Sequence, residues 1–534
     1  MKKLPSYSRR DFLEQAAAAA TVPLAGFTAS RPADAQAAGD RSGAIEIGSR
    51  LELMVDDFLI DSLSGKAQWV LHHPEAKEIA LEHDSPWEGS GTGYHSVFKD
   101  GDRYRMYYKA WHLDVQPPGK VNTGTHPLFC CYAESDDGVK WHKPELGLHE
   151  FQGSKKNNIV LVPGPAGAAV VDPGHPAVFK DENPDAPPEA RYKAIIRSSK
   201  PHGLLAFQSP DGFQWTPMSD GPVITAGAFD SQNLAFWDSA RSEYRAYWRV
   251  FTSGVTDGKD WKPEGSRAIR TATSKDFLHW ENQTDVTYVD SPLEQLYTNG
   301  VKPYHRAPHL LLGFPTRYVE RGWSDSMHAL PEEEHREWRA KASLRYGTAL
   351  TEGLFMASRD GVSFKRWNEA FLRPGMERPG TWHYGHQYIA WQLVETRSGF
   401  EGAPHELSLY ATESYWTGNS SALRRHTMRM DGFASLQAPL SGGEFVSKPL
   451  VFAGSKLNLN LSTSAAGDIR VELQEPSGKA LPGFALDDCP PVFGDTLERT
   501  VTWKKGGDLT ALAGRPLRIR MVLRDADLFA LQFV

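Results

Sequence analysis

The 534-residue sequence predicts an all-β protein, a five-bladed β-propeller followed by a small C-terminal antiparallel β-sandwich. Three observations predict this fold. A short turn motif recurs four times, and a longer strand–turn–strand unit recurs five times, as expected for blades repeated around an axis. Beyond about residue 433 the repeats give way to strands in which apolar and polar residues alternate.

The recurring turn motif has the form Ser-x-Asp-Gly-x-x-aromatic. Its copies are SDDGVKW from residue 135, SPDGFQW from 209, SKDFLHW from 274 and SRDGVSF from 358. Asp bonds its own backbone and Gly accepts a positive φ, so the motif closes a hairpin after a short apolar strand. It resembles the Asp-box of sialidases and related propellers. We therefore expect the carboxylates of YAESDDGVKW, the most acidic copy with its flanking residues, to be structural.

The longer unit consists of an apolar strand, a polar turn and an aromatic strand. Its copies cover residues 95–111, 175–197, 233–249, 301–317 and 388–414. These units place the blade starts near 92, 174, 230, 297 and 384. The early segment LELMVDDFLID (51–61) is expected to close the ring by joining the last blade. A set of isolated β-sandwiches is the alternative.

The last hundred residues have a different pattern. KLNLNLSTS, IRVELQE, TVTWKK and LRIRMVLRD alternate with period two and are separated by Gly- and Pro-containing turns. We therefore predict a propeller over residues 45–432 and a β-sandwich over 433–534. The sandwich is expected to brace the propeller, with carbohydrate binding as the alternative.

The N-terminus is typical of an export signal. MKKLPSYSRRDFLEQAAAAATVPLAGF combines an Arg pair with a mildly apolar, Ala-rich run, and ADAQA supplies small residues for cleavage. Residues 1–37 are thus predicted to be a removed twin-arginine signal, giving a periplasmic or extracellular protein. The alternative is a chance Arg pair before an Ala-rich helix. A net charge of −7 and the lack of a later apolar run favour neither nucleic-acid partners nor a membrane span.

Candidate site residues lie where innermost strands begin, second strands end and third strands begin, because these ends meet at one mouth of a propeller funnel. The Asp-box turns fall on the opposite face. Carboxylates reach the mouth from separate parts of the sequence, and the predicted catalytic residues are Asp230, Glu413, Glu352 and Glu88. The predicted substrate-binding residues are His95, His175, Arg197, Asn233, Arg249, Arg270, Tyr297, Asn299, Arg317, His386, Tyr415 and Trp416.

Carboxylates, arginines and aromatics of this kind suit a sugar site. Paired carboxylates carry out acid/base or nucleophilic work on a glycosidic bond, and a neighbouring Arg can hold one of them ionised. Asp230 precedes an innermost strand in AFDSQNLAF, and Glu413 ends a strand in YATESYWTG beside two aromatics. The alternative is that each group is satisfied locally and braces a neighbouring blade.

A metal site is a further alternative. Several histidines fall at the mouth, but their spacing matches no metal motif, so we predict no metal and no cofactor. The histidines concerned are His95, His126, His175, His383 and His386.

The region from about 50 to 435 resembles the five-bladed glycoside hydrolases of families 32, 43, 68 and 130, and in particular exported bacterial glycosyl-hydrolase-like proteins. The segments that carry the resemblance are LFMASRDGVSF, FDSQNLAFWD, LLGFPTRY, ELSLYATESYWTG and MRMDGFASLQAPLSGGEFVSKPLVF. The resemblance implies three acidic residues around the funnel. Asp230 matches the axial Asp, and Glu413 or Glu352 the general acid. The Asn-Asp-Pro motif of family 32 is absent, and YHSVF has no acid at that place.

The leading hypothesis is therefore an exported glycoside hydrolase whose partner is a carbohydrate substrate. Asp230 would be base or nucleophile, Glu413 the general acid, and Glu352 would tune them. The arginines indicate an anionic sugar, uronic or sulfated. The alternatives are sialidase-like hydrolysis, a non-catalytic carbohydrate-binding propeller and a metal-dependent lyase. Five blades instead of six count against the sialidase alternative. The sequence indicates no oligomeric state.

Overall fold

The computed structural model describes residues 43–256 and 262–534, so the predicted export signal lies outside the described residues. Strands dominate these two ranges, and they form five blades and a separate C-terminal sheet. The predicted fold class, an all-β propeller followed by an antiparallel β domain, is confirmed. In the described ranges no helix is long and apolar enough to cross a membrane.

The five blades are mainly antiparallel, and the first strand named for each is the innermost, except in blade 2, where Ala169–Lys180 is the innermost. Blade 1 contains Gly93–Asp100, Arg103–Ala110, Phe129–Ser135 and Ile159–Leu161. Blade 2 contains Gly164–Ala166, Ala169–Lys180, Tyr192–Lys200, Gly203–Ser209 and Thr216–Pro217. Blade 3 contains Leu234–Asp238, Glu243–Val255, Lys262–Ser274 and Glu281–Asp285. Blade 5 contains Val394–Thr396, Glu406–Glu413, Ser421–Met428 and Glu75–His83.

Blade 4 is split into two sheets. The larger contains Lys302–Tyr304, Ala307–Gly313, Met356–Ser358, Ser363–Arg366 and the parallel edge strand Thr287–Val289. The smaller contains Gln295–Leu296, Thr316–Glu320 and Ala349–Gly353. The connection between Thr316–Glu320 and Ala349–Gly353 contains the helices Asp325–His328, Glu333–Ala342 and Leu344–Thr348, which we call the helical insertion. A hairpin of Asp114–Gln116 and Lys120–Asn122 extends from blade 1.

The ring is closed by a segment other than the one the sequence indicated. Glu75–His83 pairs with Ser421–Met428 as the outer strand of blade 5. The prediction that 51–61 closes the ring is wrong, because Glu52–Leu53 pairs with the last strand of the protein. The physical reason is burial: Leu51, Leu53 and Val55 are needed in the core that joins the propeller to the C-terminal sheet.

The four turn motifs adopt one hydrogen-bonded geometry. In the first, Asp137 Oδ1 accepts from the main-chain N–H groups of Val139 and Lys140, both at 2.8 Å, and from the Ser135 hydroxyl at 3.0 Å. Asp211, Asp276 and Asp360 repeat this pattern in the other three copies. These acids are engaged by their own turns, as expected for structural carboxylates.

The C-terminal domain is one curled sheet built on two long strands. Leu457–Gln474 and Arg518–Phe533 pair along their lengths, and bulges let both of them bend. The remaining strands of this sheet are Glu52–Leu53, Ile60–Gly65, Gln68–Leu71, Ala434–Ala438, Gly443–Ser447 and Asp495–Thr500. Ile45–Gly48 pairs in parallel with Leu450–Phe452 beside it. Short 3-10 helices cover Pro188–Ala190, Leu486–Asp488 and Thr510–Leu512.

The propeller and the C-terminal sheet share a buried core. The rings of Phe355 and Phe433 stack with their centroids 5.2 Å apart. The buried Asp431 carboxylate accepts from the Tyr304 hydroxyl at 2.7 Å and from Asn460 at 3.0 Å. Aromatic stacking and a fully paired buried carboxylate make a stiff junction, which suits a bracing domain.

Candidate active site

We call the end of the propeller axis where innermost strands begin the front mouth, and the end where they finish the rear mouth. Aromatic rings fill the front mouth. Tyr297 stacks on Tyr388 at 5.5 Å between centroids, and Tyr388 stacks on Tyr94 at 5.9 Å. Tyr384 stacks on Trp416 at 4.5 Å. Flat aromatic surfaces at the axis are the groups on which a sugar ring can pack.

The backbone is strained at this mouth. Tyr94, Ser414 and Trp416 adopt φ values of 53°, 56° and 64°. A non-glycine residue in this region costs on the order of 1–3 kcal/mol and persists only where its surroundings hold it. Tyr94 and Trp416 are held by the stacked rings, so strained backbone and aromatic packing coincide here.

Cations from several blades surround these rings. The Lys109 ammonium lies 5.2 Å from the Tyr94 ring centroid and 4.9 Å from that of Trp111. The guanidinium of Arg249 lies 4.9 Å from the Tyr297 centroid, and that of Arg267 lies 5.5 Å from it. Such cation–π contacts are worth about 0.5–2 kcal/mol each, more when they are shielded from water.

Two carboxylates accompany the cations. Asp230 forms an ion pair with Arg249, and its side chain is 46% exposed. Asp172 accepts from Arg197 at 2.8 Å and lies 3.4 Å from Nδ1 of His175. The His175 ring packs 5.5 Å from Tyr94. Asp230 is therefore the more accessible acid and Asp172 the buried one.

The third guanidinium, Arg345, comes from the helical insertion of blade 4. Its Nη1 lies 3.4 Å from the Tyr384 hydroxyl. The same insertion reaches blade 1, since Lys341 donates to the Pro118 carbonyl oxygen at 2.6 Å. The insertion thus ties blade 4 to the blade 1 hairpin across the rim of the front mouth.

Burial and charge shift the proton affinities of several groups. Burial lowers the pKa of Lys109 to about 8. Burial raises the pKa of Tyr297, but Arg249, the hydrogen bond from Tyr384, and the guanidiniums of Arg267 and Arg345 outweigh burial. Together they bring the pKa of Tyr297 to about 8. Burial also raises the pKa of Asp172, while His175 and Arg197 hold it below its usual range. The mouth therefore has an ionised carboxylate and two groups that exchange protons near pH 8.

The structure brings together one set of the predicted site residues at the front mouth. These are Asp230, Arg249, Tyr297, Tyr415, Trp416, His175 and Arg197. Tyr415 accepts from Lys109 at 3.3 Å. They come from blades 2, 3, 4 and 5, as expected for a site at the axis.

Glu413 occupies a separate pocket of about 310 Å³ beside the 371–378 loop. It is buried and accepts from Arg424 at 2.7 Å and also pairs with Arg378. Burial raises its pKa, but these two arginines outweigh burial and bring it below the usual range. A general acid needs the opposite shift, so its catalytic role stays a prediction.

The other two predicted acids are engaged in ion pairs. Glu88 is 1% exposed and accepts from the Tyr108 hydroxyl at 2.6 Å and from Lys143 at 2.8 Å. Glu352 is paired with Arg317 at 2.6 Å. These contacts are those of bracing groups, and no contact within the described ranges joins either acid to Asp230.

The remaining predicted binding residues have local partners. His95 lies 3.1 Å from His83, and Arg270 pairs with Asp285 at 2.6 Å on the outer part of blade 3. Main-chain groups contact the other three: Asn233 donates to the Phe229 and Ser231 carbonyl oxygens, and Asn299 donates to that of Tyr247. Nδ1 of His386 accepts from the Trp382 N–H, while its buried Nε2 has no hydrogen-bond partner among the described residues.

The five histidines of the metal alternative do not converge on one point. His126 lies against the Pro127 carbonyl oxygen, and His383 pairs with Glu332. Within 43–256 and 262–534, one group of three potential ligands comes together, formed by the exposed side chains of His328, Glu333 and Glu337. It lies on the helical insertion.

Sequence reasoning missed several residues of the front mouth. Asp172 lies in VVDPGH, in the first half of the strand Ala169–Lys180, and an acid near the start of an innermost strand was a usable signal, as in FDSQN. Lys109 lies in the aromatic strand RYRMYYKAW, which also carries Arg103 and Arg105, so its place in the sequence did not distinguish it. Arg345 had no signal, because it comes from an insertion outside the repeats. Tyr384 lies at the predicted start of the fifth blade, between the candidates His383 and His386, but it was not selected.

Comparison with known proteins gives similarity at the level of solved structures. No family model and no curated protein matches this protein. A BT0996 RGII complex is 12% identical with a TM-score of 0.40, over 67% of this protein and 93% of that one. A family 43 arabinoxylan arabinofuranohydrolase from Bacillus subtilis, in complex with cellotetraose, is 12% identical with a TM-score of 0.35, over 86% and 99%.

A third structure is Zg3597 of Zobellia galactanivorans, a family 117 glycoside hydrolase. It is 11% identical with a TM-score of 0.37, over 68% of this protein and 90% of that one. Similarities of this size transfer neither an activity nor catalytic residues. The solved structures that this protein resembles thus include glycoside hydrolases of families 43 and 117.

Proposed function

We propose that this protein is a glycoside hydrolase that acts at the front mouth on an anionic polysaccharide or oligosaccharide. One observation carries the proposal. Five cations, two carboxylates and stacked aromatic rings from different blades meet at one end of the axis. The rings offer stacking surfaces, and the excess of cations favours a uronic or sulfated sugar.

Asp230 is the proposed base or nucleophile. It is the half-exposed carboxylate of the mouth, and Arg249 orients it. Glu413 is the general acid indicated by the sequence, with Glu352 as a tuning group. The front mouth itself offers Lys109 and Tyr297 as further proton donors, because both have a pKa of about 8.

The test is hydrolysis of a panel of neutral, uronate and sulfated oligosaccharides. Asp230→Asn is expected to lower kcat/KM by about 10²-fold or more, the usual contribution of a positioned acid or base. Asp285→Asn is the matched control, since Asp285 forms a second Asp–Arg ion pair of blade 3, with Arg270, at the outer edge of the blade. Unchanged rates in both Asp230→Asn and Glu413→Gln would contradict both assignments. Binding of the panel without turnover would favour a non-catalytic carbohydrate-binding propeller.

A second candidate function, sialidase-like hydrolysis, is favoured by the environment of Tyr297. Its hydroxyl accepts from Tyr384 at 2.9 Å, and Arg249 and Arg267 lie against its ring. In this reaction the Tyr297 phenolate attacks the anomeric carbon as the glycosidic bond breaks, and the leaving oxygen takes a proton from a donor of the mouth such as Lys109. Water then displaces the phenolate and releases the sugar. In that case Tyr297→Phe abolishes release of sialic acid from a model glycoside, and Asp230→Asn retains it.

Export by the twin-arginine route is part of the proposal. Substituting both Arg9 and Arg10 by Lys is expected to keep the protein in the cytoplasmic fraction of its host. The wild-type protein should appear in the periplasmic or extracellular fraction, shortened by about the first 37 residues. Equal export of the two proteins would refute the signal assignment.

A further inference from the structure

A second cavity lies at the rear mouth, on the face of the Asp-box turns. Its volume is about 630 Å³, which is within the range of small-molecule sites. Residues near the ends of innermost strands from different blades line it, among them Lys99 of blade 1, Lys180 of blade 2 and His305 of blade 4. We call it the rear pocket. The mechanism proposed above does not use it.

The lysines of the rear pocket come from the strand repeat. Lys99 follows Val97-Phe98 in blade 1, and Lys180 follows Val178-Phe179 in blade 2, so both stand at one place of the repeated unit. Blade 4 adds Lys302, because its innermost strand is only the three residues Lys302–Tyr304 and all of them line the pocket. Three ammonium groups from three blades therefore converge on one cavity.

The charge of Lys180 is only partly neutralised. Its ammonium lies 2.9 Å from Asp100. The same carboxylate is 2.8 Å from Arg105 and 3.7 Å from Arg191, so one negative charge serves three cations. This side of the rear pocket keeps a net positive charge.

Carboxylates neutralise Lys302 and Lys99 even less. Lys302 lies 3.6 Å from Glu182, whose own side chain is 62% exposed, while Lys302 is 16% exposed. An ion pair with so exposed a carboxylate is worth little, so another anion can replace it. For Lys99, no carboxylate of the described ranges lies within ion-pair distance, and its ammonium rests 5.6 Å from the Tyr104 ring.

The second acid of the lining is already engaged. Glu395 accepts from the His305 ring at 2.6 Å. In the same wall, the buried Nε2 of Gln392 has no hydrogen-bond partner among the described residues, and Gln392 holds a φ of 77°. A strained residue with an unused amide donor in a cavity wall is a group that a ligand oxygen would satisfy.

We propose that the rear pocket binds a sugar acid of one or two rings, with its carboxylate among Lys99, Lys180 and Lys302. Unpaired ammonium charge accounts for the carboxylate, and the Gln392 amide for a hydroxyl. The size of the cavity and the apolar rings of Phe98 and Phe314 in its wall favour a ring-bearing ligand over a small inorganic ion. This site is distinct from the front mouth and does not depend on the proposed hydrolysis.

The experiment is titration calorimetry of the full-length protein with glucuronate, with glucose and sodium sulfate as comparison ligands. Glucuronate is expected to bind at least tenfold more tightly than either. Lys302→Met should weaken this binding at least tenfold, and Lys99→Met should weaken it severalfold. Lys275→Met is the matched control, because Lys275 is 76% exposed and lies outside the pocket.

Thermal unfolding of each variant checks that it folds. If Lys302→Met does not fold, Lys99→Met tests the proposal instead, because Lys99 is exposed. Arg249→Met identifies binding at the front mouth. The proposal is wrong if glucuronate does not bind, or if Arg249→Met abolishes binding while the lysine variants retain it. It is also wrong if sulfate binds as tightly as glucuronate, since the pocket would then be a general oxyanion site.

Discussion

Tyr297 is expected to ionise near pH 8, about two pH units below an ordinary tyrosine. The three guanidiniums and the hydrogen bond from Tyr384 favour the phenolate more than burial disfavours it. Burial has the opposite effect on the neighbouring rings, since it raises the pKa values of Tyr94, Tyr384 and Tyr388 well above the usual range. One tyrosine of this cluster should therefore titrate alone.

The magnitude follows from the shift. With a pKa of about 8, Tyr297 is about 10% ionised at pH 7 and about 90% ionised at pH 9. Between pH 8 and pH 10 the unfolded protein holds this proton and the folded protein does not, so the contribution of Tyr297 to stability rises with pH. The full difference is about 2.7 kcal/mol, reached above pH 10 and lost as the pH falls through 8.

Ultraviolet difference spectroscopy of tyrosinate measures this ionisation without any substrate. The folded protein should show about one tyrosinate forming with a midpoint near pH 8, out of 18 tyrosines. Tyr297→Phe should remove that step, and Tyr415→Phe, the matched control from the same cluster, should keep it. An unchanged spectrum below pH 9, or a step that survives in Tyr297→Phe, would refute the electrostatic reasoning.

Three further predictions concern stability, each measured by urea unfolding. Glu88→Ala should lower the free energy of unfolding by about 3–5 kcal/mol, because it leaves the largely buried Lys143 without its closest buried partner. A large loss of activity with unchanged stability would instead indicate a catalytic role for Glu88. Asp137→Ala should lower the free energy of unfolding by about 1–3 kcal/mol through three lost hydrogen bonds. Asp136 is a neighbour outside that network, so Asp136→Ala should lower it by less than about 0.5 kcal/mol. Equal effects of the two substitutions would contradict the Asp-box geometry. Phe277→Gly relieves a φ of 70° but removes a fully buried ring, so we expect a net loss of about 2–4 kcal/mol, and a gain in stability would show that strain outweighs packing.

The blades could be predicted because their signals are local. The Asp-box needs Ser, Asp and a residue that accepts positive φ within a few positions, so the sequence alone shows where each hairpin turns. The structural role of Asp137 follows from the same short-range hydrogen bonds. Ring closure had no such signal: 51–61 is the more apolar segment, and Glu75–His83 has four apolar residues, two of them Ala. Only burial against the C-terminal sheet removed 51–61 from the ring.

The candidate site was predictable in part. The place of an acid before an innermost strand indicated Asp230, and strand-end arginines included Arg249. The same rule selected Glu413 and Glu352, whose side chains meet other partners. A strand end fixes where the backbone is, but the side chain can leave it toward the axis or toward either neighbouring blade.

The sequence by itself thus determined the all-β class, the number of blades and the role of the Asp-box acids, because each depends on contacts between residues close in the sequence. The tertiary structure decided which charges meet. Lys109, Arg249 and Arg345 are far apart in sequence, and only the closed ring brings them against one cluster of tyrosines. The lowered pKa of Tyr297 and the proximity of the three lysines in the rear pocket are consequences of that closure.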